Sequence, residues 1–544
     1  MTLSPYLLVG LAAVVLVLLY QSVRTARARK SMLDDIQGPE NPSFWIGNEN
    51  DIRYQGEVGD VDFKWMREYG SVWRVKGCMG ENSLMIADPK ALQYVLQTSG
   101  YRFPKRPDAR EVTRMILGRG IVWADGHGHQ RQRRIMSPAF SAAQLKSFLP
   151  LFQRYGLKLV EKLRGEIASG AEANKGTDGS LINLVPWFSR TTLDIIGEAG
   201  FNYEFGGLDD AETELSKVYN NLFIDSTLYP SKLDIVFKSF WRYIPETPLH
   251  LVRYLPSREY RRFRQYTEFM NDFARRIVEK NEAQGDAKDI ISVLMRANAS
   301  ENPRSKLSDY EVFDQISTLL LAGHDTTATS LDWLFWELGK HPEWQTRIRE
   351  EIAAVRAQVT ARGDTDFSMG DLEGMSSMQA ALKEAMRLHP IVWQIVRNAA
   401  QDDVIPLAFP ITTRSGKVIN AVPVRKGQSI TVSICSYNRL PEVWGADADK
   451  WNPERFLNID KSKQTSVGVY ANLMNFSAGI RGCIGWKFSV IEMQAIVATL
   501  LENFEFTLPP AEKGEIIRKP TALMVPMSDT YPGAWMGLHV KSVA

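Results

Sequence analysis

Apolar side chains recur at the spacing of a helix face through most of this sequence, up to about residue 540. Short strand-like stretches interrupt this pattern and predict small β-sheets. The chain is therefore predicted to be mainly α with small β-sheets. No sharp change of composition divides its body, so we expect one large domain over residues 51–544. The predicted strands are Ser71–Val75, Ser83–Ile86, Val404–Ile411 and Ser429–Ser433.

The clearest predicted helix runs from Leu307 to Gly339. Ser308 and Glu311 have the spacing of a capping box at its start, and Gly339 followed by Pro342 marks its end. The segment Ser169–Ser180 is rich in Gly, Ala, Asn and Asp, and it predicts a surface loop.

The first residues show a different pattern. Pro5 to Tyr20 is apolar and uncharged, the run extends to Val23, and four basic residues follow within the next seven positions. We expect a transmembrane signal anchor at residues 1–23 and a basic linker at residues 24–50, because positive charge after the span keeps the following chain in the cytosol. The alternative is a cleaved signal peptide, but no Lys or Arg precedes the apolar run.

The charge balance excludes one broad class of function. With 65 Lys and Arg against 63 Asp and Glu, the net charge is +2, and a nucleic-acid binder would normally show a strong basic excess. The cysteines are Cys78, Cys435 and Cys483, too few for a disulfide framework. This number agrees with a body in a reducing compartment.

Cys483 lies in the decapeptide Phe476–Gly485, between glycines and two residues after Arg481. A helix-like run from Trp486 to Leu500 follows it. The positive end of a helix favours an anionic sulfur, and glycines let a flat group approach the backbone. An isolated cysteine is more often a small buried apolar side chain. Here the context favours a thiolate of the kind that ligates haem iron.

The decapeptide resembles the cysteine loop of the cytochrome P450 family, F-x-x-G-x-R-x-C-x-G. Phe476, Gly479, Arg481, Cys483 and Gly485 match all its fixed positions. The resemblance implies a cytochrome P450 fold behind the N-terminal anchor. It also implies haem b as cofactor, with Cys483 as the axial ligand of the iron.

The middle of the long predicted helix carries a polar cluster that is unfavourable for helix stability. A kink made by Gly and Thr is the alternative to a chemical role. Residues 322–327 are similar to the family's A/G-G-x-D/E-T-T signature, with His324 in the free position. Gly323 would let the cofactor approach. The resemblance implies that Thr326 donates a hydrogen bond to bound dioxygen and that Asp325 relays protons.

Glu384 and Arg387 lie three residues apart, so they share a helix face. Alone, this is the pattern of an ordinary surface pair. The spacing also resembles the family's E-x-x-R feature, whose usual partner is the arginine of a P-x-R-F-like segment, here Arg455. The resemblance implies a buried triad of Glu384, Arg387 and Arg455 with a structural role.

Haem carries two propionates, so cationic side chains should line one of its edges. Arg481 in the cysteine loop is the first candidate. His129 and Arg133 lie one helical turn apart and are similar to the family's aromatic and arginine pair, with histidine where tryptophan is usual. Arg397 matches a further propionate position. Each of these could instead be a solvated basic side chain.

The resemblance implies a monooxygenase that inserts one atom of O2 into a lipophilic small molecule, with a place in secondary metabolism. No G-x-G-x-x-G fingerprint occurs, so electrons from NADPH should arrive through a separate cytochrome P450 reductase, with cytochrome b5 as a second donor. We expect a single-pass protein of the endoplasmic reticulum membrane with a cytosolic catalytic domain. The basic cluster Arg131, Arg133, Arg134 and Lys487 is a candidate docking patch for the reductase or an ordinary solvated face.

The resemblance implies pocket walls in Arg110–Trp123, Phe223–Phe240 and Ile391–Ile395, which are mostly apolar. The second of these segments is also a candidate for contact with membrane lipid. Two alternative functions remain at this point: a haem-thiolate isomerase or dehydratase that needs no O2, and a non-catalytic haem sensor or carrier.

Overall fold

The structure is a computed structural model, and it describes residues 32–173, 179–209, 214–219, 222–284, 288–302, 305–459, 464–509 and 515–543. The predicted anchor at residues 1–23 and the first part of the predicted linker lie outside the described residues. Among the helices that are described, none combines the length and the apolar character needed to cross a membrane.

Helices make up most of the described chain, as the periodicity predicts. Asp125 caps one of these helices: its side chain accepts a hydrogen bond from Gly126 N–H, and the helix Gly126–Met136 begins there. The α-helices span Glu49–Arg53, Asp60–Tyr69, Pro89–Gln93, Pro107–Leu117, Gly126–Met136, Ala142–Ala173, Leu184–Phe201, Glu214–Tyr219, Leu222–Thr227, Lys232–Ser239, Glu246–Leu249, Arg258–Gln284, Ile290–Ala299, Asp309–Lys340, Pro342–Ala361, Met369–Gly374, Ser376–Leu388, Ile434–Tyr437, Pro441–Trp444, Glu454–Leu457 and Trp486–Asn503.

The strands form small sheets at the edges of the helical body. The strands are β1 Val72–Lys76, β2 Asn82–Ile86, β3 Ser180–Asn183, β4 Gln394–Asn398, β5 Asp403–Thr412, β6 Val418–Val424, β7 Ser429–Ser433, β8 Phe504–Thr507, β9 Ile516–Pro520, β10 Met524–Ser528 and β11 Gly537–Ser542. One sheet has the order β1-β2-β7-β4, another β3-β11-β8, and two hairpins pair β5 with β6 and β9 with β10. The predicted strands correspond to β1, β2, β5 and β7 within one residue at each end.

The helix Asp309–Lys340, called the central helix below, runs through the core. The predicted capping box is present: Glu311 N–H donates to Ser308 Oγ at 3.3 Å, and Ser308 N–H donates to Glu311 Oε2 at 3.0 Å. Most of its buried apolar side chains belong to the main hydrophobic core, while Trp333 belongs to the second core cluster. Its most extensive packing is against the helix Leu184–Phe201. The central helix therefore lies in the interior of the protein, where a helix can line an internal cavity.

Two sequence predictions differ from the structure. The predicted loop Ser169–Ser180 begins too early, since the helix Ala142–Ala173 continues through its first residues. The residues Ala171, Glu172 and Ala173 are strong helix formers, and they extend the helix by about one turn. The second difference is the linker. Residues 32–50 pack on the body, with Leu33 and Ile36 buried in its second core cluster, so the folded body begins before residue 51.

Candidate active site

One cavity of about 770 Å³ brings together side chains from segments that are far apart in the sequence. Its lining includes the middle of the central helix, the loop before the helix Trp486–Asn503, and strand β4. Asp325, Gly479 and the three residues of the predicted triad lie outside the lining. The predicted site residues within it are Thr326, Cys483, Phe476, Arg481, His129, Arg133 and Arg397.

The cysteine loop, residues 476–485, is held by backbone hydrogen bonds and by a close backbone contact at a glycine. Cys483 N–H donates to Phe476 O at 2.8 Å and Gly482 N–H donates to Gly479 O at 3.0 Å, which closes a tight turn. Gly479 has φ +62°, and a Cβ at this position would lie 2.2 Å from Leu96 O. The motif therefore requires glycine at position 479 for both its conformation and its close packing.

Cys483 is the one exposed cysteine of the three, and its surface faces the cavity although the residue lies deep in the protein. Burial raises the pKa of its thiol, while a hydrogen bond from Gly485 N–H and the charge of Arg133 lower it. The Arg133 guanidinium is held beside the thiol by donating to Gly482 O. The loop thus supplies the partners that stabilise a thiolate once a cation lies above the sulfur.

A cluster of cations lines the cavity beside this loop. The side chain of Arg481 is 4% exposed and pairs with Asp125, and Arg397 is 7% exposed. Burial and the charge of Arg481 lower the pKa of Arg397 to about 10, while burial and the charge of Arg397 lower that of Lys105 to about 7. Arg397 Nε and Arg481 Nε are buried with no hydrogen-bond partner among the described residues. Mutual repulsion and spare donors indicate a site for an anion.

His129 occupies the same edge of the cavity. It is 3% exposed, and its Nδ1 lies 2.8 Å from the hydroxyl of Tyr101. Burial and the charges of Lys105, Arg481 and Arg133 lower the pKa of His129 to about 4, so the ring is neutral at pH 7. When Nδ1 accepts from Tyr101, Nε2 carries the proton and can donate one further hydrogen bond.

The residues around the cavity fit haem. A cysteine sulfur faces the cavity, cations lie along one side of it, and buried guanidinium N–H groups there lack partners. The two propionates of haem carry the oxygen acceptors that such donors require. Lys105, which the sequence reasoning missed, belongs to the cationic edge; no motif marks it, and only the fold brings it beside Arg397.

The two threonines in the polar cluster of the central helix both line the cavity but have different partners. Thr326 lines the cavity, and its hydroxyl donates to Ala322 O at 2.8 Å. Thr327 Oγ1 lies 2.9 Å from Ser489 Oγ, which joins the central helix to the helix that follows Cys483. The cavity therefore has one hydroxyl of this cluster available and a second that holds two helices together.

Asp325 has other surroundings than expected, and Gly323 has a packing role in addition to the expected one. Burial raises the pKa of the hydroxyls of Tyr219 and Tyr266, and the nearby Asp325 carboxylate raises both further. Asp325 thus faces these tyrosines rather than the cavity lining. Gly323 lines the cavity, but a Cβ there would lie 2.8 Å from Ile196, so close packing of two helices also requires this glycine.

The structure brings the predicted triad together. Arg387 Nε and Nη2 each donate to the Glu384 carboxylate at 2.8 Å, and Arg455 Nε donates to it at 3.1 Å. The side chains of Glu384 and Arg387 are 0% exposed and that of Arg455 is 10% exposed. Arg455 also pairs with Asp447 at 3.0 Å. All three charges of the triad are therefore compensated by direct contacts.

Two asparagines that no sequence motif marks connect this triad to the cysteine loop. Arg387 Nη1 donates to Asn438 O at 2.8 Å. Asn438 Nδ2 donates to Asn475 Oδ1 at 2.9 Å, and Asn475 Nδ2 donates to Met386 O at 2.7 Å. Asn475 directly precedes Phe476, so the start of the cysteine loop is bonded to the helix that carries Glu384.

A loop over the cavity is bonded to the central helix. Arg119 N–H donates to Asp314 Oδ2 at 2.7 Å, and Ile121 N–H donates to Gln315 Oε1 at 3.0 Å. Gly118 has φ +66°, and a Cβ there would lie 1.9 Å from Asp314 Oδ1. Ile121 lines the cavity, so these bonds position part of its wall.

The three predicted wall segments all contribute to the cavity, and Ile391–Ile395 does so along its whole length. The side chain of Phe223 lies outside what the structure describes. The predicted basic docking patch is largely neutralised: Arg131 pairs with Glu311, and Arg134 pairs with Glu301 at 2.8 Å. Both carboxylates lie more than 160 residues away in the sequence, where pattern reading could not find them.

Comparison with known proteins agrees with this arrangement. The chain is 33% identical to cytochrome P450 monooxygenase 205 of Postia placenta, over 98% of this chain and 97% of the relative. It is 29% identical to cytochrome P450 monooxygenase claU of Ampulloclitocybe clavipes, over the whole length of both chains. Cytochrome P450 monooxygenase 91 of Postia placenta is 32% identical over 89% of each chain. The family profile described as cytochrome P450 matches residues 37–531, and the chain belongs to the cytochrome P450 family.

Proposed function

We propose that the protein is a haem-thiolate monooxygenase that inserts one oxygen atom from O2 into a lipophilic small molecule. The observation that carries this proposal is one cavity lined by both the Cys483 thiol and the Thr326 hydroxyl. The relatives support it, since those described above are named monooxygenases. Their fungal origin supports a role in secondary metabolism.

The residues that would hold haem b are Cys483 at the iron and the cationic edge at the propionates. Arg133, Arg397, Arg481 and the Nε2–H of His129 are the proposed propionate donors. When bound, haem with a thiolate ligand supplies the activation of dioxygen. Arg133 has a second task, because it bonds to Gly482 O and lowers the pKa of the thiol.

Thr326 is proposed to control protons on the oxygen side. Its hydroxyl donates to Ala322 O, so it can accept a hydrogen bond from the cavity as it stands and can donate to the cavity after rotation. Asp325 is proposed as the next group in the proton supply. Since it faces Tyr219 and Tyr266, this role requires rotation of its side chain or a connecting water.

The redox partner is proposed to be a separate NADPH–cytochrome P450 reductase, with cytochrome b5 as a second donor. Of the four basic residues in the predicted patch, Lys487 is exposed and has no acidic partner among the described residues. Lys487 lies on the first turn of the helix that follows Cys483, so a partner docked there would be close to the thiol. We therefore assign Lys487 to the proposed docking surface and leave out Arg131 and Arg134.

A location at the endoplasmic reticulum membrane is proposed from the N-terminal sequence and from exposed apolar side chains. Residues 1–23 have the composition of a signal anchor. On the described surface, Trp45 is 59% exposed, Leu233 is 83% exposed and Leu251 is 64% exposed. Large apolar side chains at this exposure suit contact with lipid.

Co-expression with a fungal reductase tests the function directly. With NADPH and O2, we expect oxygenated products from a panel of terpenoids, fatty acids and aromatics. The Cys483→Ala variant should lose both the products and the reduced carbon-monoxide band of thiolate ligation. Turnover without NADPH or reductase would instead identify an isomerase or dehydratase, and ligand-linked spectral shifts without turnover would identify a sensor.

A further inference from the structure

The outer part of the cavity carries more charge than its sequence segments suggested, and most of this charge is paired. Asp108 pairs with Arg106 at 2.6 Å and Glu49 pairs with Arg53 at 3.3 Å. All four residues line the cavity. Their charges compensate one another, so they add no net charge for a ligand to meet.

The cations in the lining from the helix Lys232–Ser239 and its neighbours are also paired. Lys238 lies 2.8 Å from Asp234 and 3.0 Å from Glu259, so one cation is shared by two carboxylates. Arg242 pairs with Glu81. Every acidic residue in the lining is thus already in contact with a cation.

Arg110 is the exception among the outer cations. Its guanidinium makes no hydrogen bond within the described chain, and Nε is buried without a partner. The nearest carboxylate, Glu246, lies 3.9 Å from Nη2 and is also 3.5 Å from Arg114. Arg110 therefore lacks the close charge partner that the other outer cations have.

The Arg110 side chain is nevertheless held in place. Its guanidinium carbon lies 4.4 Å from the centroid of the Trp123 ring, which is a cation–π contact. The side chain is 27% exposed, so solvent screens its charge only in part. A fixed guanidinium with free N–H donors on a cavity wall is a receptor for a carboxylate, which it can bind through two parallel hydrogen bonds.

We propose that the substrate is a lipophilic carboxylic acid and that Arg110 binds its carboxylate. This inference rests on the proposed monooxygenase function and names its substrate class. The apolar walls, such as Ile121 and Ile391–Ile395, accommodate the remainder of the molecule. A propionate of haem is the other possible source of a carboxylate. Arg133, Arg397, Arg481 and His129 already provide more donors than two propionates need.

Binding of matched acid and ester pairs to the holoprotein tests this inference by equilibrium dialysis. The probes are dodecanoic acid, abietic acid and cinnamic acid, each compared with its methyl ester. We expect at least one acid to bind about 10- to 100-fold more tightly than its ester, the range for a hydrogen bond to a charged group. Arg110→Met should reduce this preference to about twofold or less, and Arg110→Lys should retain part of it.

Arg119→Met is the matched control. Arg119 also contacts the Trp123 ring, at 5.6 Å, but it does not line the cavity. It should therefore lose a charge near the same tryptophan and keep the preference for acids. Equal binding of acid and ester in all three pairs would overturn the inference, and so would a preference that survives Arg110→Met.

Haem retention separates the two carboxylate sources. If Arg110→Met loses haem while the acid preference of the remaining holoprotein is unchanged, Arg110 binds a propionate and the inference is wrong. The reduced carbon-monoxide band of the wild type, measured in the same preparation, reports on the proposed function independently. A normal band with no acid preference overturns only the substrate class.

Discussion

Replacing Glu384 with glutamine removes one negative charge from a cluster that has almost no contact with solvent. The Glu384 carboxylate accepts hydrogen bonds from Arg387 Nε, Arg387 Nη2, Asn452 N–H and Arg455 Nε. Glutamine keeps one acceptor oxygen and places an NH2 group where the other oxygen accepted from Arg387. The guanidinium groups of Arg387 and Arg455 then face a neutral amide instead of the carboxylate that compensated their charges.

The size of the effect depends on which arginine loses more of its compensating negative charge. Arg455 keeps Asp447 at 3.0 Å. Arg387 has Glu384 as its ion-pair partner in the described structure and otherwise donates only to backbone carbonyls, including Asn438 O and Ala448 O. Breaking a buried pair on one side costs about 3–5 kcal/mol. Because glutamine and the carbonyls retain part of the bonding, we expect a loss of about 3 kcal/mol.

The assay is urea unfolding of the holoprotein, followed by tryptophan fluorescence and by the reduced carbon-monoxide band. The matched control is Glu454→Gln, the same chemical change beside Arg455. Glu454 pairs with Arg347 on the surface, with both side chains nearly half exposed. This control should change stability by about 1 kcal/mol or less. If both variants lie within about 1 kcal/mol of the wild type, the triad does not contribute the stability inferred here.

Two further predictions address proton supply and pH. Thr326→Ala should lower product formation on the order of 100-fold while NADPH consumption continues, and Thr326→Ser should restore it; equal product from the alanine variant would exclude a role for the hydroxyl. Asp62 is buried, and burial raises its pKa from 3.8 to about 6, so the wild type loses stability as pH rises through this window. In urea unfolding, Asp62→Asn should therefore be more stable than the wild type by about 3 kcal/mol at pH 8 and nearly equal to it at pH 4. A variant less stable than the wild type at pH 8 would contradict the sign of this effect.

The sequence predicted what short motifs and local periodicity encode. The cysteine loop, the capping box at Ser308 and the strands β1, β2, β5 and β7 are local patterns, so their prediction needed no tertiary contacts. The pairing of Arg131 with Glu311 and the position of Lys105 beside Arg397 depend on contacts between distant segments.

The direction in which a side chain points was the second property that the sequence could not predict. The motif marks Asp325 and Thr326 equally, but adjacent helical residues point about 100° apart, so the fold decides which one reaches the cavity. The charged lining near Arg110 was missed for a related reason. Its segment is mostly apolar on average, while the cavity is lined by individual side chains that an average does not describe.

The bonds from Asp314 and Gln315 to the loop at residues 118–121 have a mechanical consequence. Twelve residues separate Asp314 from Thr326 on one unbroken helix, a distance of about 18 Å. A bulky molecule that displaces the loop must either break these two bonds or move the helix with it. The cavity wall and the Thr326 hydroxyl are thus mechanically coupled, and under the proposed function the shape of the bound molecule influences the alignment of that hydroxyl.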